Sequence, residues 1–587
     1  MEASRWQFLS RSDVRLAAFG FCALLAVWLG FIGIGVARAE LWIKHGGYYV
    51  MLGTFVLWLA ALWRLRHEAL AGWSRRERIT GTVLVALFSV VAVVHEDFRS
   101  KILYDEFVLQ STAYNMHFFR DVATMVRGYD ILGTFLSTDN YLDKRPYFYP
   151  FLVSLVHDLT GYRTQNAYLL NALLTPVCLG LVYGLGRCWQ GWRTGALAVA
   201  LVGSLPLFAQ NATGSGMELL NLTMLLAAVA LGASWLARPD GLRLSAFILA
   251  VVLLAQCRYE SALYVVPAAM VVLAGWWRGG RIVLSGSALL APLLLVPVAL
   301  HNRVLSHTPV LWEMKDDQTS RFGWEYLADN FRAAADFLFS TDVRLANSLW
   351  LTVVGGLGLL VLAGWVLWRR PAWRRMSPLS LAWLFIGLGI CTNTLLVMFY
   401  FWSAFNDPMA ARFSLPFCLL LAFAVVFVAA RFDARGPVAP ALLGLTLVCW
   451  LGFSLPRQAQ HHYSHLGIDE IEWERRLVAA RPPAARLIIS NKSGLPWLLQ
   501  KTPSILIDRA RLVPDRLQRQ LADGYINEIL VMQSLRPTSV HGQHELVPEE
   551  ILPAGYRLEL VAEKRFGTKL ARVSRLVAVE LPPPPAT

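Results

Sequence analysis

Two side-by-side carboxylates, followed further along by a cation pair against a proline, are the residues of this chain best suited to chemistry. They are Tyr104-Asp105-Glu106 and Asp143-Lys144-Arg145-Pro146-Tyr147-Phe148-Tyr149. A carboxylate can take a proton from an attacking hydroxyl, and cations can hold a departing phosphate. The layout therefore suits chemistry on a sugar carried by a lipid phosphate. The plainer reading is interfacial, because charged residues crowd the membrane boundaries of most polytopic proteins. Other ionisable groups fall inside or beside apolar runs: Glu218 after a Gly-Ser-Gly-Met turn, Arg258-Tyr259-Glu260 between two runs, and Arg412 after Asn406-Asp407-Pro408. Charges at membrane depth are costly and usually face a cavity or a partner. Simple pairing of Arg258 with Glu260 at a hairpin, and interfacial anchoring by Arg412, are the structural alternatives.

Composition says what must position these groups. Of 587 residues, 56% are hydrophobic and 16% charged, and the mean hydropathy is +0.47. These values exclude an ordinary soluble globular protein and point to a polytopic membrane protein. The net charge of +14 does not imply nucleic acid, because the arginines cluster in short stretches between apolar runs, as the positive-inside rule produces. The seven cysteines lie in or at the edge of apolar runs without CxxC or Cys/His spacing, so neither a disulfide framework nor a thiolate metal site is implied. The first apolar run, Leu16 to Ala37, is long enough to stay in the membrane as an anchor.

Thirteen runs are candidate spans: 16–37, 46–63, 79–94, 166–186, 195–210, 218–237, 243–257, 260–277, 282–300, 346–368, 379–401, 413–430 and 436–455. Several are shorter than the roughly 20 residues a spanning helix needs. With the N-terminus inside, the inner connections collect the arginines, from Arg5, Arg11 and Arg15 to Arg369, Arg370, Arg374, Arg375, Arg431 and Arg435. An odd number of spans then places three polar regions on the outer side: 95–165, 301–345 and the tail 457–587. Within the first, Tyr114, Phe118, Val122 and Met125 predict one face of a surface helix, and Pro146 to Thr160 predicts a juxtamembrane helix. Within the second, Leu327, Phe331, Ala334 and Leu338 predict another helix. The tail alternates β-rich runs (487–490, 504–507, 528–532, 558–562) with helical ones (495–500, 514–522), which predicts a small α/β domain ending in the flexible, proline-rich Leu581 to Thr587. The expected architecture is a membrane domain over 1–456 carrying the loops 95–165 and 301–345, followed by an extracytoplasmic α/β domain over 457–587.

The Tyr-Asp-Glu after a span, the Asp-Lys-Arg-Pro-Tyr-Phe-Tyr-Pro before the juxtamembrane helix, and the Ala-Thr-Gly-Ser-Gly-Met-Glu at the next outer turn resemble the bacterial protein O-mannosyltransferase and aminoarabinose-transferase branch of the GT-C glycosyltransferases. The likeness is strongest over residues 79–280 and architectural beyond. It implies a GT-C-like fold of about 13 transmembrane helices in the bacterial inner membrane, with the active site outside the cytoplasm. The implied donor is a sugar on a polyprenyl phosphate or diphosphate; the acceptor is a glycan, lipid or protein. Carried over, Asp105 falls on the catalytic acidic residue of the first loop, Lys144 on the lysine of a Lys-Pro-Pro motif, and Glu218 on a second acidic position that is usually aspartate. The chain departs from the pattern in having Arg145 for the first proline, the longer Glu218, and two extra leading spans.

The chemistry expected is one base and a cationic cradle, because phosphate leaves as a stable anion without a general acid; glycoside hydrolysis normally needs two carboxylates. Asp105 is the expected base, with Glu106 and Glu218 orienting acceptor or metal. Lys144, Arg145 and Arg258 are expected to hold phosphate, and Tyr104, Asp143, Tyr147, Tyr149, Glu260 and Arg412 to bind substrate. A divalent cation on Asp105, Asp143 or Glu218 is conceivable, although no spacing demands one. The resemblance further implies inversion at the anomeric carbon; a monomer among membrane lipids is the expected state. A transporter or flippase of lipid-linked substrate should instead show repeat-related halves and midplane charges, and a non-catalytic lipid- or glycan-binding scaffold would share the architecture without turnover.

Overall fold

The computed structural model describes residues 12–580 apart from 70, 96, 132, 309–313, 315–317, 319, 370–374, 433–435, 461–465 and 539–542. Arg5, Arg11, Arg370, Arg374, Arg435 and the proline-rich end Leu581 to Thr587 lie outside the described residues. The chain forms two compact units. The first comprises residues 1–99, 144–156 and 165–462, and the second residues 100–143, 157–164 and 463–587.

In the first unit each of the thirteen apolar runs contributes a helix. Among the described residues eleven helices are long and apolar enough to cross a membrane. The run 195–210 breaks into Trp192–Gly203 and Pro206–Ala212, bent by 74°, because Pro206 cannot donate to the preceding turn. The run 243–257 yields only Gly241–Leu254, 14 residues long. At about 1.5 Å per residue this helix falls short of the hydrocarbon thickness, and ten of its residues are buried by protein. The thirteen expected spans are therefore eleven long helices, one bent pair and one short packed helix.

Local chemistry sets the helix limits. Ser74 and Glu77 form a reciprocal capping box at the start of Arg75–Val94, with N–H···O distances of 3.2 and 2.8 Å, satisfying two donors that a helix start leaves open. Gly355 and Gly358 let Leu349–Arg369 lie directly on Leu415–Phe432: a Cβ at Gly355 would meet the Leu421 side chain at 2.5 Å. Small residues at such crossings drive packing where lipid provides no hydrophobic incentive. The expected helix in the second loop is present as Leu327–Leu338, but its buried face is Asn330, Ala333, Ala334 and Phe337, with Phe331 exposed. Its rotation is set by Asn330, whose Nδ2 donates to the carbonyls of Met398 and Tyr400 at 2.9 Å.

The second unit begins with the helix Leu103–Phe118. The apolar spacing predicted that it would continue to Met125; it stops at Phe118, and Arg120 adopts a left-handed φ of 60°. The chain then forms the antiparallel hairpin β1 (Thr124–Ile131) and β2 (Thr134–Tyr141). Its turn uses Gly133 at φ 80°, whose N–H is held by Asp130 Oδ1 at 2.8 Å. Tyr114 and Met125 still meet, through the hairpin, in one apolar cluster with Phe135, Ile468 and Leu498. The juxtamembrane helix is Phe148–Thr160.

The tail is the expected α/β fold. Strands β3 (Arg486–Ser490), β4 (Ser504–Leu506), β5 (Glu528–Pro537), β6 (His544–Glu545), β7 (Tyr556–Phe566) and β8 (Lys569–Val579) form a sheet in the order β4-β3-β5-β8-β7, with β6 on β5. β3 runs parallel to β4 and β5, whereas β8 is antiparallel to β5 and β7. Leu487 and Ile489 pack on one face with Ile507 and Leu517; Ile488 packs on the other with Trp497 and Val478. Burial on both faces explains why β3 and the first half of β5 read as continuous apolar runs. Strand β8 and the helix Leu466–Ala479 were not expected from sequence.

Candidate functional site

The charged groups that the first unit brings together are Glu218, Arg258, Glu260 and Arg412. Glu218 opens the helix Glu218–Ala237 and is 2% exposed. The turn before it is fixed by Asn171, whose Nδ2 donates to the carbonyls of Gly214 and Gly216 at 2.9 Å each. Arg258 lies in the turn between Gly241–Leu254 and the 3₁₀ segment Glu260–Tyr264, and Arg412 in the 3₁₀ turn Ala411–Ser414. Both guanidiniums converge on one oxygen: Glu218 Oε1 accepts Arg258 Nη1 at 2.6 Å and Arg412 Nη1 at 3.0 Å. Arg258 Nε also donates to Glu260 Oε1.

The ring of Phe413 lies 4.9 Å from the Arg258 guanidinium and 5.5 Å from that of Arg412, a cation–π arrangement that favours both charges. These side chains line a cavity of about 10 Å³, room for one water. Arg258 Nη2 is buried and makes no hydrogen bond among the described residues. Two carboxylates face two guanidiniums, so the formal charges of the cluster balance.

Lys144 and Arg145 precede Phe148–Thr160 in the same unit, and Lys144 is buried. The residues after them are tied to the Arg258 turn: Phe148 N donates to the Gln256 carbonyl at 3.3 Å, and the buried Tyr147 phenol bonds to the Gln256 side chain. Burial pushes that phenol's pKa well up. Tyr149 donates its hydroxyl to Ala167 O at 2.9 Å. The basic pair and the cluster are thus linked through a single turn. Sequence reasoning passed over Asn171, Gln256 and Phe413, which carry no charge; the Gly-Ser-Gly turn was the one signal that something must hold it.

Tyr104, Asp105, Glu106 and Asp143 belong to the second unit. Asp105 and Glu106 stand in the first turn of Leu103–Phe118 and both are buried. Glu106 Oε2 accepts the N–H groups of Lys101 at 2.5 Å and Ile102 at 3.0 Å, so it satisfies donors at the start of its own helix. Asp143 Oδ2 accepts the Tyr141 hydroxyl at 3.2 Å. Among the described residues no group of three or more His, Cys, Asp or Glu is placed to hold a metal ion. At Glu218 the two bound guanidiniums also disfavour a cation.

Residues 144–301 match the family described as dolichyl-phosphate-mannose-protein mannosyltransferase. That segment contains Lys144, Arg145, Glu218, Arg258 and Glu260. No curated protein matches the chain. Among solved structures, the chain resembles ArnT from Cupriavidus metallidurans bound to undecaprenyl phosphate, with a TM-score of 0.51 and 14% identity over 84% of this chain and 97% of that one. The apo state of ArnT gives a TM-score of 0.51 at 13% identity with the same coverage. With the apolar helices and the sheet-bearing tail, this likeness shows that the chain shares the fold of ArnT, a set of membrane-length apolar helices followed by a sheet-bearing tail.

Proposed function

We propose that the chain is a glycosyltransferase that moves a sugar from a polyprenyl phosphate or diphosphate to an acceptor hydroxyl on the extracytoplasmic side of the inner membrane. The observation that carries this reading is the buried Arg258–Glu218–Arg412 cluster with Arg258 Nη2 left unbonded. An unbonded buried donor costs roughly 1–3 kcal/mol, and more when charged; a phosphate oxygen is the partner that would recover that cost. The matched family is described by dolichyl phosphate and ArnT was solved with undecaprenyl phosphate, both polyprenyl phosphates.

In this reading Arg258, supported by Lys144 and Arg145, holds the donor phosphate, and Glu218 positions the two arginines. Asp105 accepts the proton of the acceptor hydroxyl as its oxygen bonds to the anomeric carbon. The bond from that carbon to phosphate breaks, its electron pair leaves with the phosphate, and a single displacement inverts the anomer. No metal enters the scheme. Glu106 supports the helix that carries Asp105.

Arg258→Lys tests the reading, because lysine keeps the charge but loses the planar fork that can serve Glu218, Glu260 and a phosphate together. A lost charge-assisted contact of roughly 1.5–3 kcal/mol should weaken undecaprenyl phosphate binding about tenfold or more, measured by titration in detergent. Unchanged affinity beside a lowered melting temperature would make the cluster purely structural and end this account.

A further inference from the structure

We infer that the second unit holds a separate binding site for a saccharide bearing one negative charge. The site is a cavity of about 170 Å³, where roughly 10–15 Å³ admits one water-sized group. At about 30 Å³ of liquid volume per water it has room for about six, the scale of one hexose ring.

Its place in the sheet is where open α/β folds put ligands, outside the carboxyl ends of parallel strands. Asn491 and Lys492 directly follow β3, and Ser534 and Arg536 lie on β5 beyond the last β3 pairing, Ser490 with Met532. The β3–β5 pair is parallel while β5–β8 is antiparallel, so the cavity lies where the sheet changes direction.

The floor is a fixed polar network. Asn491 Nδ2 donates to Glu550 Oε2 at 2.7 Å and to Ser534 O at 3.1 Å, while its Oδ1 accepts Ser534 N at 2.9 Å. Glu470, 2% exposed, is paired with Lys492. Both carboxylates are held in place, and carboxylates accept strongly from sugar hydroxyls.

The charge is not balanced, because two acids face three cations. Lys492 is committed to Glu470, whereas Arg536 approaches Glu550 only at 3.7 Å with its side chain 66% exposed. Lys569 is exposed and makes no ion pair among the described residues. Arg536 and Lys569 are therefore available to one anionic substituent, and Tyr104 supplies an aromatic wall. A bare anion would be repelled by the two carboxylates, and a neutral sugar would leave the cations idle. All lining residues belong to the second unit.

The test is ligand-observed NMR with the full chain in detergent, using glucuronate, galacturonate, glucose and acetate. At least one uronate should bind, about tenfold or more tighter than glucose or acetate. Lys569→Gln and Arg536→Gln should each bring that uronate down toward glucose, and Asp105→Asn should leave it unchanged. Acetate binding as well as the uronates, glucose binding as well, no binding of either uronate, or indifference to both substitutions would each overturn the assignment.

Discussion

Replacing Glu218 with Gln tests the charge logic of the membrane site most directly. The carboxylate is 2% exposed and receives two guanidiniums on one oxygen, at 2.6 and 3.0 Å. Glutamine keeps the shape and an accepting oxygen but removes the charge. Each pair contributes about 4 kcal/mol of Coulomb attraction at an effective dielectric of 20, partly offset by desolvation. Removing one partner of a buried pair typically costs about 3–5 kcal/mol. Arg412 then loses this carboxylate, and Arg258 keeps Glu260. Thermal unfolding in detergent at a fixed scan rate should show Glu218→Gln melting clearly below wild type. Adding Arg412→Met should recover part of the loss, because it removes a buried charge that has lost the Glu218 carboxylate. Undecaprenyl phosphate should raise the melting temperature of Glu218→Gln more than that of wild type, since its phosphate can serve as the missing counter-charge. Wild-type stability in the single variant, or strictly additive losses in the double variant, would falsify the view that the three residues act as one unit.

Asp105→Asn should lower transfer by roughly 10² to 10⁴-fold with melting and donor binding preserved, whereas Glu106→Gln should mainly cost about 1–2 kcal/mol of stability through its weakened helix-start bonds; mild, equal activity losses would remove the catalytic role from Asp105. Glu474 titrates at about 7 because burial, opposed by Lys492 and Arg475 and aided by Glu470, disfavours its charge. Its folded pKa lies above the unfolded value near 4.5, so the folded state binds more protons between these limits. Stability is then highest below about 4.5 and falls by about 3 kcal/mol as pH rises through 7. Glu474→Gln should flatten the pH dependence of melting between pH 5 and 8, and an unchanged slope would place the titrating group elsewhere. Cysteines introduced at positions within 110–140 and 470–530 should both react with an impermeant reagent from outside the cytoplasm; protection of one region alone would break the proposed orientation.

Sequence periodicity captured what local energetics decide and lost what distant partners decide. The apolar runs became helices because twenty or so apolar residues have few alternatives in lipid, and Pro206 marked the bend at 195–210. The helix expected through Met125 failed because its 3.6-residue spacing joined Tyr114 and Phe118 to residues of a loop and a strand. Tyr114 and Met125 are buried together after all, but through a chain reversal at Arg120 that no residue-type preference announces, since arginine seldom adopts a positive φ. In Leu327–Leu338, leucine and phenylalanine suggested one face and Asn330 fixed another, because two carbonyls at 2.9 Å outweigh exposure of one phenylalanine. Strand β8 was missed for a related reason: Lys569, Arg572 and Arg575 interrupt its apolar pattern, and its apolar partners on β5 and β7 are visible only in the sheet.

The site was legible in its charges and obscure in its connections. Arg258 and Glu260 could be read as a local pair, and they are one; the sequence offered no sign that Glu218, 40 positions before Arg258 and 194 before Arg412, would bind both arginines through a single oxygen. The difference matters for how the cluster is used. A local Arg–Glu pair at a hairpin is self-sufficient and could lie at any boundary. A carboxylate reaching two separate turns makes each arginine's position depend on the other, so in the proposed reading an anion arriving at Arg258 would also be felt at Arg412. Uncharged residues hold these groups: Asn171 clamps Gly214 and Gly216 before Glu218, Gln256 ties the Lys144 segment to the Arg258 turn, and Phe413 lies within cation–π range of both guanidiniums. Such residues leave no compositional trace, because their role is defined by the backbone atoms and charges they meet after folding.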